Sequence, residues 1–307
     1  MTNIRILDGA HAVVYGAGGS MGGVVARSLA RAGANLLLAG RSLPPVQRVA
    51  NEIVDGGGRA EAAQVDATNG RDVEELLERV TRAGHSVDIS FCLIDYQVAQ
   101  GMPLVEMKVE DFVRPVALAM QSHFLTATAA GRIMMRQRSG VILSLTATPG
   151  GIGYPLTAGF APACAAIESF SRNLAAELGP YGVRVVNIRS GGSPDSRVFR
   201  DAIESNPGAM EQVMRDMEND TMLKRLPAMQ EIANTAVFLA SELARSITGV
   251  TVDITAGTTA ALNYRAPRIE TLNRLIAPSV SNVGCGLSNL LRTLAAEPAA
   301  TINPCYS

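Results

Sequence analysis

Residues 12–22 read Ala-Val-Val-Tyr-Gly-Ala-Gly-Gly-Ser-Met-Gly and run directly into the apolar, alanine-rich stretch Val24–Ala32. A short apolar run, a glycine-rich loop and an amphipathic stretch, in that order, read as strand, turn and helix. Glycines let a backbone approach a pyrophosphate, and a helix N-terminus offers free N–H groups and a partial positive charge. Gly16, Gly18, Ser20, Met21 and Gly22 are therefore expected to cradle a dinucleotide. The spacing is Gly16-x-x-x-Ser20-x-Gly22 rather than GxGxxG, and a glycine-rich turn that holds no ligand is the competing reading.

The same alternation of short apolar runs and helical-period stretches continues along the chain. Strands are expected at Ala12–Tyr15, Asn35–Ala39, Ala60–Val65, Val87–Ile94, Val141–Leu145, Arg184–Ile188 and Thr251–Ile254. Helices are expected near Ser20–Ala32, Pro45–Asp55, Arg71–Arg82, Val109–Arg138, Ala161–Leu178 and Gln230–Leu243. Strands alternating with helices imply an α/β fold, a Rossmann-like, doubly wound, parallel seven-stranded sheet with helices on both faces. Residues 1–262 read as one domain, with a Met-rich lid at about 195–228, and residues 263–307 as a C-terminal extension with one helix near Leu287–Ala296.

Composition narrows the function. The 307 residues are 47% apolar and 18% charged, and 27 basic against 28 acidic residues leave a net charge of −1, so no basic surplus favours nucleic acid or an anionic membrane. No apolar run is long enough to span a bilayer, and no signal pattern opens the chain. The four cysteines form neither a CxxC nor a metal-ligand spacing, so no metal site is expected and a reducing cytoplasm is the default.

The end of the second strand bears on which nucleotide binds. An acidic residue there would accept hydrogen bonds from a ribose 2′-hydroxyl, but the sequence is Leu38-Ala39-Gly40-Arg41-Ser42. Arg41 beside an unhindered glycine suits a 2′-phosphate, so NADP is favoured over NAD, with Ser42 and Leu93 counted among the contacts. A solvated surface arginine is the plain alternative. Asp66, with Ala67, closes the third strand and is read either as an acceptor for the adenine amino group or as a turn cap before Thr68.

Over roughly Ile6–Leu262 the chain resembles the short-chain dehydrogenase/reductase family. The resemblance rests on the loop 16–22, Asp66, the stretch Gly140–Gly192 and the run from Glu231-Ile232-Ala233 to Ile247-Thr248-Gly249. It implies a nicotinamide cofactor, a small-molecule substrate and assembly into homodimers or homotetramers through the helices Val109–Arg138 and Ala161–Leu178. It also implies a Ser, Tyr, Lys and Asn proton relay, and here the chain departs. The tyrosine and lysine positions fall on Phe160 and Cys164, the serine on Ala147, the asparagine near Ala119, and the Asn-Asn-Ala-Gly run on Cys92-Leu93-Ile94-Asp95. Losing a positioned proton donor costs on the order of a hundred- to ten-thousand-fold in rate.

Substitute donors are sought among Tyr154, Tyr96, Thr146 and His123, against structural alternatives of a loop aromatic for Tyr154, an ordinary strand threonine for Thr146 and a satisfied core or interface histidine for His123. Glu168, Arg189 and Cys164 read as structural. Three functions remain open. They are an NADP-linked oxidoreductase acting on an apolar carbonyl, enone or iminium; a lyase, isomerase or cyclase on the same scaffold; and a catalytically silent nucleotide-binding protein.

Overall fold

The computed structural model describes residues 5–98 and 100–260. Its elements are β1 (His11–Tyr15), α1 (Ser20–Arg31), β2 (Asn35–Gly40), α2 (Leu43–Asp55), β3 (Arg59–Gln64), α3 (Gly70–Arg82), β4 (Ile89–Cys92) and α4 (Val109–Gln137). They continue with β5 (Gly140–Ala147), α5 (Phe160–Leu178), β6 (Val183–Ser190), α6 (Arg197–Ser205), α7 (Pro207–Asn219), α8 (Met229–Ala240) and β7 (Thr251–Ile254). The expected extension at 263–307, with its helix, lies outside the described residues.

All seven strands pair in parallel in the order β3-β2-β1-β4-β5-β6-β7. The winding reverses between β1 and β4, where Tyr15 stands opposite Cys92. Crossovers leave that junction in opposite directions, so a crevice opens at the C-terminal strand ends.

Strand alternation sends each strand's side chains to two separate cores. Val14 and Leu38 pack under Val25, Leu29, Val46 and Ile232 of α1, α2 and α8. Val13 and Ile142 pack under Leu76, Leu77, Met134 and Leu174 of α3, α4 and α5. Helix α3 illustrates the local logic. Val73, Leu76, Leu77 and Val80 are its buried stripe, and the Asn69 side chain caps it by accepting from the Arg71 N–H at 3.0 Å. Each buried leucine contributes roughly 1.5–3 kcal/mol.

Two boundaries differ from the sequence expectation for identifiable reasons. The strand expected over 87–94 is β4, Ile89–Cys92, because the Gln137 side chain takes both backbone groups of Val87 at 2.9 Å. The helix expected to reach Leu243 ends at Ala240. Ser241 is extended there (φ −90°, ψ 168°), and its hydroxyl accepts from the Leu243 N–H at 3.3 Å, starting a separate short turn. The lid region holds α6 and α7, the two short helices its pattern implies. Among the described residues, no helix is long and apolar enough to cross a membrane.

At the opposite end of the sheet His11 stacks on His85 with ring centroids 4.4 Å apart, and its Nδ1 lies 3.8 Å from Asp88. Burial first, and the neighbouring imidazole second, lower the His11 pKa below its usual 6.5, with Asp88 opposing. The native state therefore favours neutral His11, whose stabilisation is present above about pH 6.5 and declines as pH falls through that range. The urea midpoint is expected to fall between pH 7 and pH 5, and His11→Asn to flatten that slope. Parallel profiles for variant and wild type would contradict the assignment.

Candidate functional site

At the switch point lies a cleft of about 280 Å³, lined by Gly16, Gly18, Arg41, Ser42, Asp66, Ala67 and Leu93 of the expected cofactor set. Tyr15, Gly19, Pro45, Asp95, Gln97 and Leu118 join them. Of these additions, Gly19 belongs to the same glycine run, Tyr15 ends β1, and Asp95 and Gln97 follow β4, so their positions are legible in the sequence; Pro45 and Leu118 depend on how α2 and α4 pack.

The loop is shaped by close approaches. Gly16 has φ +78°, and a Cβ on it would sit 2.3 Å from the Leu93 carbonyl oxygen. A Cβ on Gly22 would sit 2.2 Å from the Gly16 carbonyl oxygen. Side chains are thus excluded at both turns, leaving bare backbone at the entrance to α1. That helix has Gly19 as N-cap, no side-chain cap and no acidic residue in its first turn, so its leading N–H groups are uncommitted. Ser20, Met21 and Gly22 supply this first turn rather than the cleft wall. Ser20 Oγ accepts a 3.4 Å bond from the Arg197 N–H at the start of α6, and Met21 packs against the core. The cradle fits a pyrophosphate.

Arg41 is exposed on the rim, close enough to act on Asp66. Asp66 Oδ1 accepts from the Thr68 N–H at 2.9 Å and from its hydroxyl at 2.7 Å. These bonds, with Arg41 adding, lower the Asp66 pKa, so the carboxylate is ionised. Asp66 closes the turn before Thr68, as one of its two readings has it, and also lines the cleft.

The catalytic candidates stand differently. Tyr96 is buried, and its hydroxyl donates to the Leu145 carbonyl at 3.3 Å. Its ring lies 6.0 Å from that of His123 and 6.3 Å from that of Phe160, inside an apolar cluster with Ala119, Ala163 and Ile167. Burial raises its pKa. His123 is buried with Nδ1 2.9 Å from the Ala119 carbonyl oxygen. Thr146 is also buried, donating to Glu168 at 2.9 Å and accepting from Asn187 at 2.7 Å. None of the three lines the cleft, and the hydroxyls of Tyr96 and Thr146 are committed to protein partners. Phe160 and Ala119 make this closure possible, because a phenol can pack into space they leave apolar.

Tyr154 remains half-buried on the loop between β5 and α5. Burial, with Asp220 at the end of the lid adding, raises its pKa above 10. Its phenol is therefore protonated at neutral pH and a weaker acid than an ordinary tyrosine, and like the other three candidates it does not line the cleft.

Glu168 and Arg189 are structural, as their sequence context implies, and they also position the site. Arg189 donates to both carboxylate oxygens of Glu168, at 2.9 and 2.5 Å, and to Asp253 at 3.3 Å. A Cβ on Gly150 would fall 2.7 Å from Glu168 Oε1, and one on Gly151 would fall 2.4 Å from Arg189 Nη1. The loop after β5 thus rides on this ion pair. After β6 a Cβ on Gly192 would meet Phe199 of α6 and Met217 of α7, each at 2.6 Å, so side chains of these two helices pack against that loop. Among the described residues, no group of three or more His, Cys, Asp or Glu is placed to hold a metal ion.

This arrangement has known relatives. Residues 16–259 match the family described as enoyl-(acyl carrier protein) reductase. The chain is 29% identical over 261 residues to the 7alpha-hydroxysteroid dehydrogenase of Escherichia coli (strain K12), covering 85% of this chain and 98% of that one. It is 28% identical to the 3-oxoacyl-(acyl-carrier-protein) reductase of Synechocystis sp., covering 80% and 95%. A solved protein from Beutenbergia cavernae, described as an NAD(P)-dependent gluconate 5-dehydrogenase and holding NADP at low occupancy, superposes with a TM-score of 0.74 at 26% identity, covering 84% of this chain and 100% of that one.

Removing one partner of a buried ion pair leaves an uncompensated charge. Arg189→Met is expected to cost about 3–5 kcal/mol in urea unfolding, and Glu168→Met/Arg189→Met together to recover much of it. A single substitution costing under about 1 kcal/mol would contradict this account of the loop.

Proposed function

From the chain's membership of the short-chain dehydrogenase/reductase family of oxidoreductases, we propose that it binds NADP(H) and reduces an apolar carbonyl, enone or iminium compound without that family's tyrosine and lysine. The observation that carries the reading is Arg41 on the cleft rim, next to Gly40 and close to Asp66, where an NAD site would place a carboxylate at the end of β2. A guanidinium fork matches the oxygens of a 2′-phosphate and is always charged. Asp66 would take the adenine amino group, and the first turn of α1 with Gly16 and Gly18 would hold the pyrophosphate.

The nicotinamide supplies hydride when bound. The chain's own contribution is then binding, orientation and one proton. Cys164, where the family lysine would stand, is a neutral thiol pushed up to about 12 by burial and provides no fixed cation. Tyr154, half-buried and protonated at neutral pH, is the donor this reading selects. Enones and iminium ions need less acid assistance than simple ketones, so they suit a site that mainly orients. The same reading makes the protein a cytoplasmic homodimer or homotetramer, in keeping with Val113 and Phe124 exposed on α4. The commitment of Tyr96 and Thr146 to buried partners favours one second reading, nucleotide binding without turnover.

Fluorescence titration tests the first claim. Arg41→Ala is expected to weaken NADPH binding roughly ten- to a hundredfold, the worth of a charge-assisted contact, while leaving NADH binding unchanged. Equal losses with both cofactors would contradict a phosphate role. Tyr154→Phe is expected to lower kcat on an enone panel by about a hundredfold or more without altering NADPH affinity. Turnover that survives this change removes Tyr154 as donor, and NADPH binding with no turnover on any enone or ketone selects the silent reading.

A further inference from the structure

Cys92 and Cys164 are both buried and both lie within the catalytic half of the fold, yet their surroundings differ. Cys92 ends β4 and is 4% exposed; across from it on α4 stands His123, 3% exposed. The two border a small cavity of about 10 Å³, room for about one water, together with Thr126, Ser144 and Ser171.

The tautomer of His123 is set by its partners. Nδ1 lies 2.9 Å from the Ala119 carbonyl, which can only accept, so Nδ1 carries the hydrogen. Nε2 is left with a lone pair, fully buried and without a hydrogen-bond partner, and it borders the same cavity as the Cys92 thiol. A lone pair beside a thiol, on a ring oriented by a third group, is the arrangement that activates a nucleophile. Titration behaviour agrees: His123 draws the Cys92 pKa down and the thiol draws the imidazole up, each against the effect of burial. Cys164 has no imidazole, and burial pushes it up to about 12.

We propose that Cys92 is a peroxide-sensitive thiol whose oxidation to the sulfenic acid loosens the nucleotide cleft. His123 takes the thiol proton, and the thiolate sulfur attacks one oxygen of hydrogen peroxide. The sulfur–oxygen bond forms as the oxygen–oxygen bond breaks, and the departing hydroxide takes the proton from the imidazolium and leaves as water. Sulfur is oxidised, peroxide is reduced, and His123 returns neutral.

The sheet transmits the change to the cleft. Cys92 is paired with Tyr15 and Ser144, and the next residue, Leu93, has the carbonyl that abuts Gly16. An added oxygen must occupy the cavity or displace the end of β4, and Gly16 has no slack to absorb that displacement. This second half rests on the nucleotide reading above; the oxidation itself does not.

The experiment treats the full chain with hydrogen peroxide, quenches it by unfolding in dimedone, and measures adducts on each cysteine peptide by mass spectrometry. Cys92 is expected to react at least tenfold faster than Cys164, and His123→Gln to slow Cys92 about tenfold while leaving Cys164 unchanged. Peroxide is expected to weaken NADPH binding at least fivefold, reversibly with dithiothreitol, and Cys92→Ser to abolish that response. If His123→Gln does not fold, the wild-type Cys92-to-Cys164 ratio and Cys92→Ser decide the question. A ratio near one, an unchanged rate in a folded His123→Gln protein, or full Cys92 oxidation with unaltered NADPH affinity would overturn the proposal. Untreated protein that binds no NADPH would instead overturn the nucleotide reading, leaving the cysteine ratio to report on Cys92.

Discussion

The fold turns on one steric fact, the absence of room for a β-carbon between the end of β1 and the end of β4. Gly16 passes within 2.3 Å, measured from a built Cβ, of the Leu93 carbonyl, and Gly22 passes equally close to the Gly16 carbonyl. These approaches let the chain turn from β1 into α1 with its backbone bare and its helix N-terminus facing the crevice where the strand order reverses. The cleft, the rim position of Arg41 and the exposure of Asp66 all depend on that turn.

Beside the crevice, polar groups turn inward among apolar residues. Next to Phe160 and Ala119, Tyr96 donates to a strand carbonyl, and Thr146 joins a buried network with Glu168 and Asn187. An unpaired buried polar group costs about 1–3 kcal/mol, a cost that the hydroxyls of Tyr96 and Thr146 avoid by pairing within the protein and that His123 Nε2 does not. The Arg189–Glu168 pair is the densest result. It fixes the loop after β5 that carries Tyr154.

Much of this is legible in the sequence, for physical reasons that can be named. Most of the seven strands are readable because they are short apolar runs bounded by glycine or polar residues, the edge strand β3 (Arg59–Gln64) being the polar exception, and the cradle because glycine spacing is a backbone requirement. Boundaries shift where a distant side chain substitutes for a backbone partner, as Gln137 does at Val87, or where a hydroxyl opens a new turn, as Ser241 does. Tyr96 and Thr146 stand at the strand ends their sequence positions imply, but the face their hydroxyls choose depends on packing by α4 and α5. No local pattern encodes that choice. The apolar residues at 119, 147 and 160 are visible in the sequence, yet the inward collapse they permit becomes evident only when the neighbouring helices are in place.

The central claim is that the cleft is a nucleotide cradle keyed to a phosphate on the adenosine ribose. Calorimetric titration with adenosine 2′,5′-bisphosphate and with adenosine 5′-monophosphate tests it without any catalytic step. The account predicts that both bind and that the 2′-phosphate adds at least tenfold in affinity, an increment that falls as salt is raised. Equal affinities, or binding of neither, would contradict it.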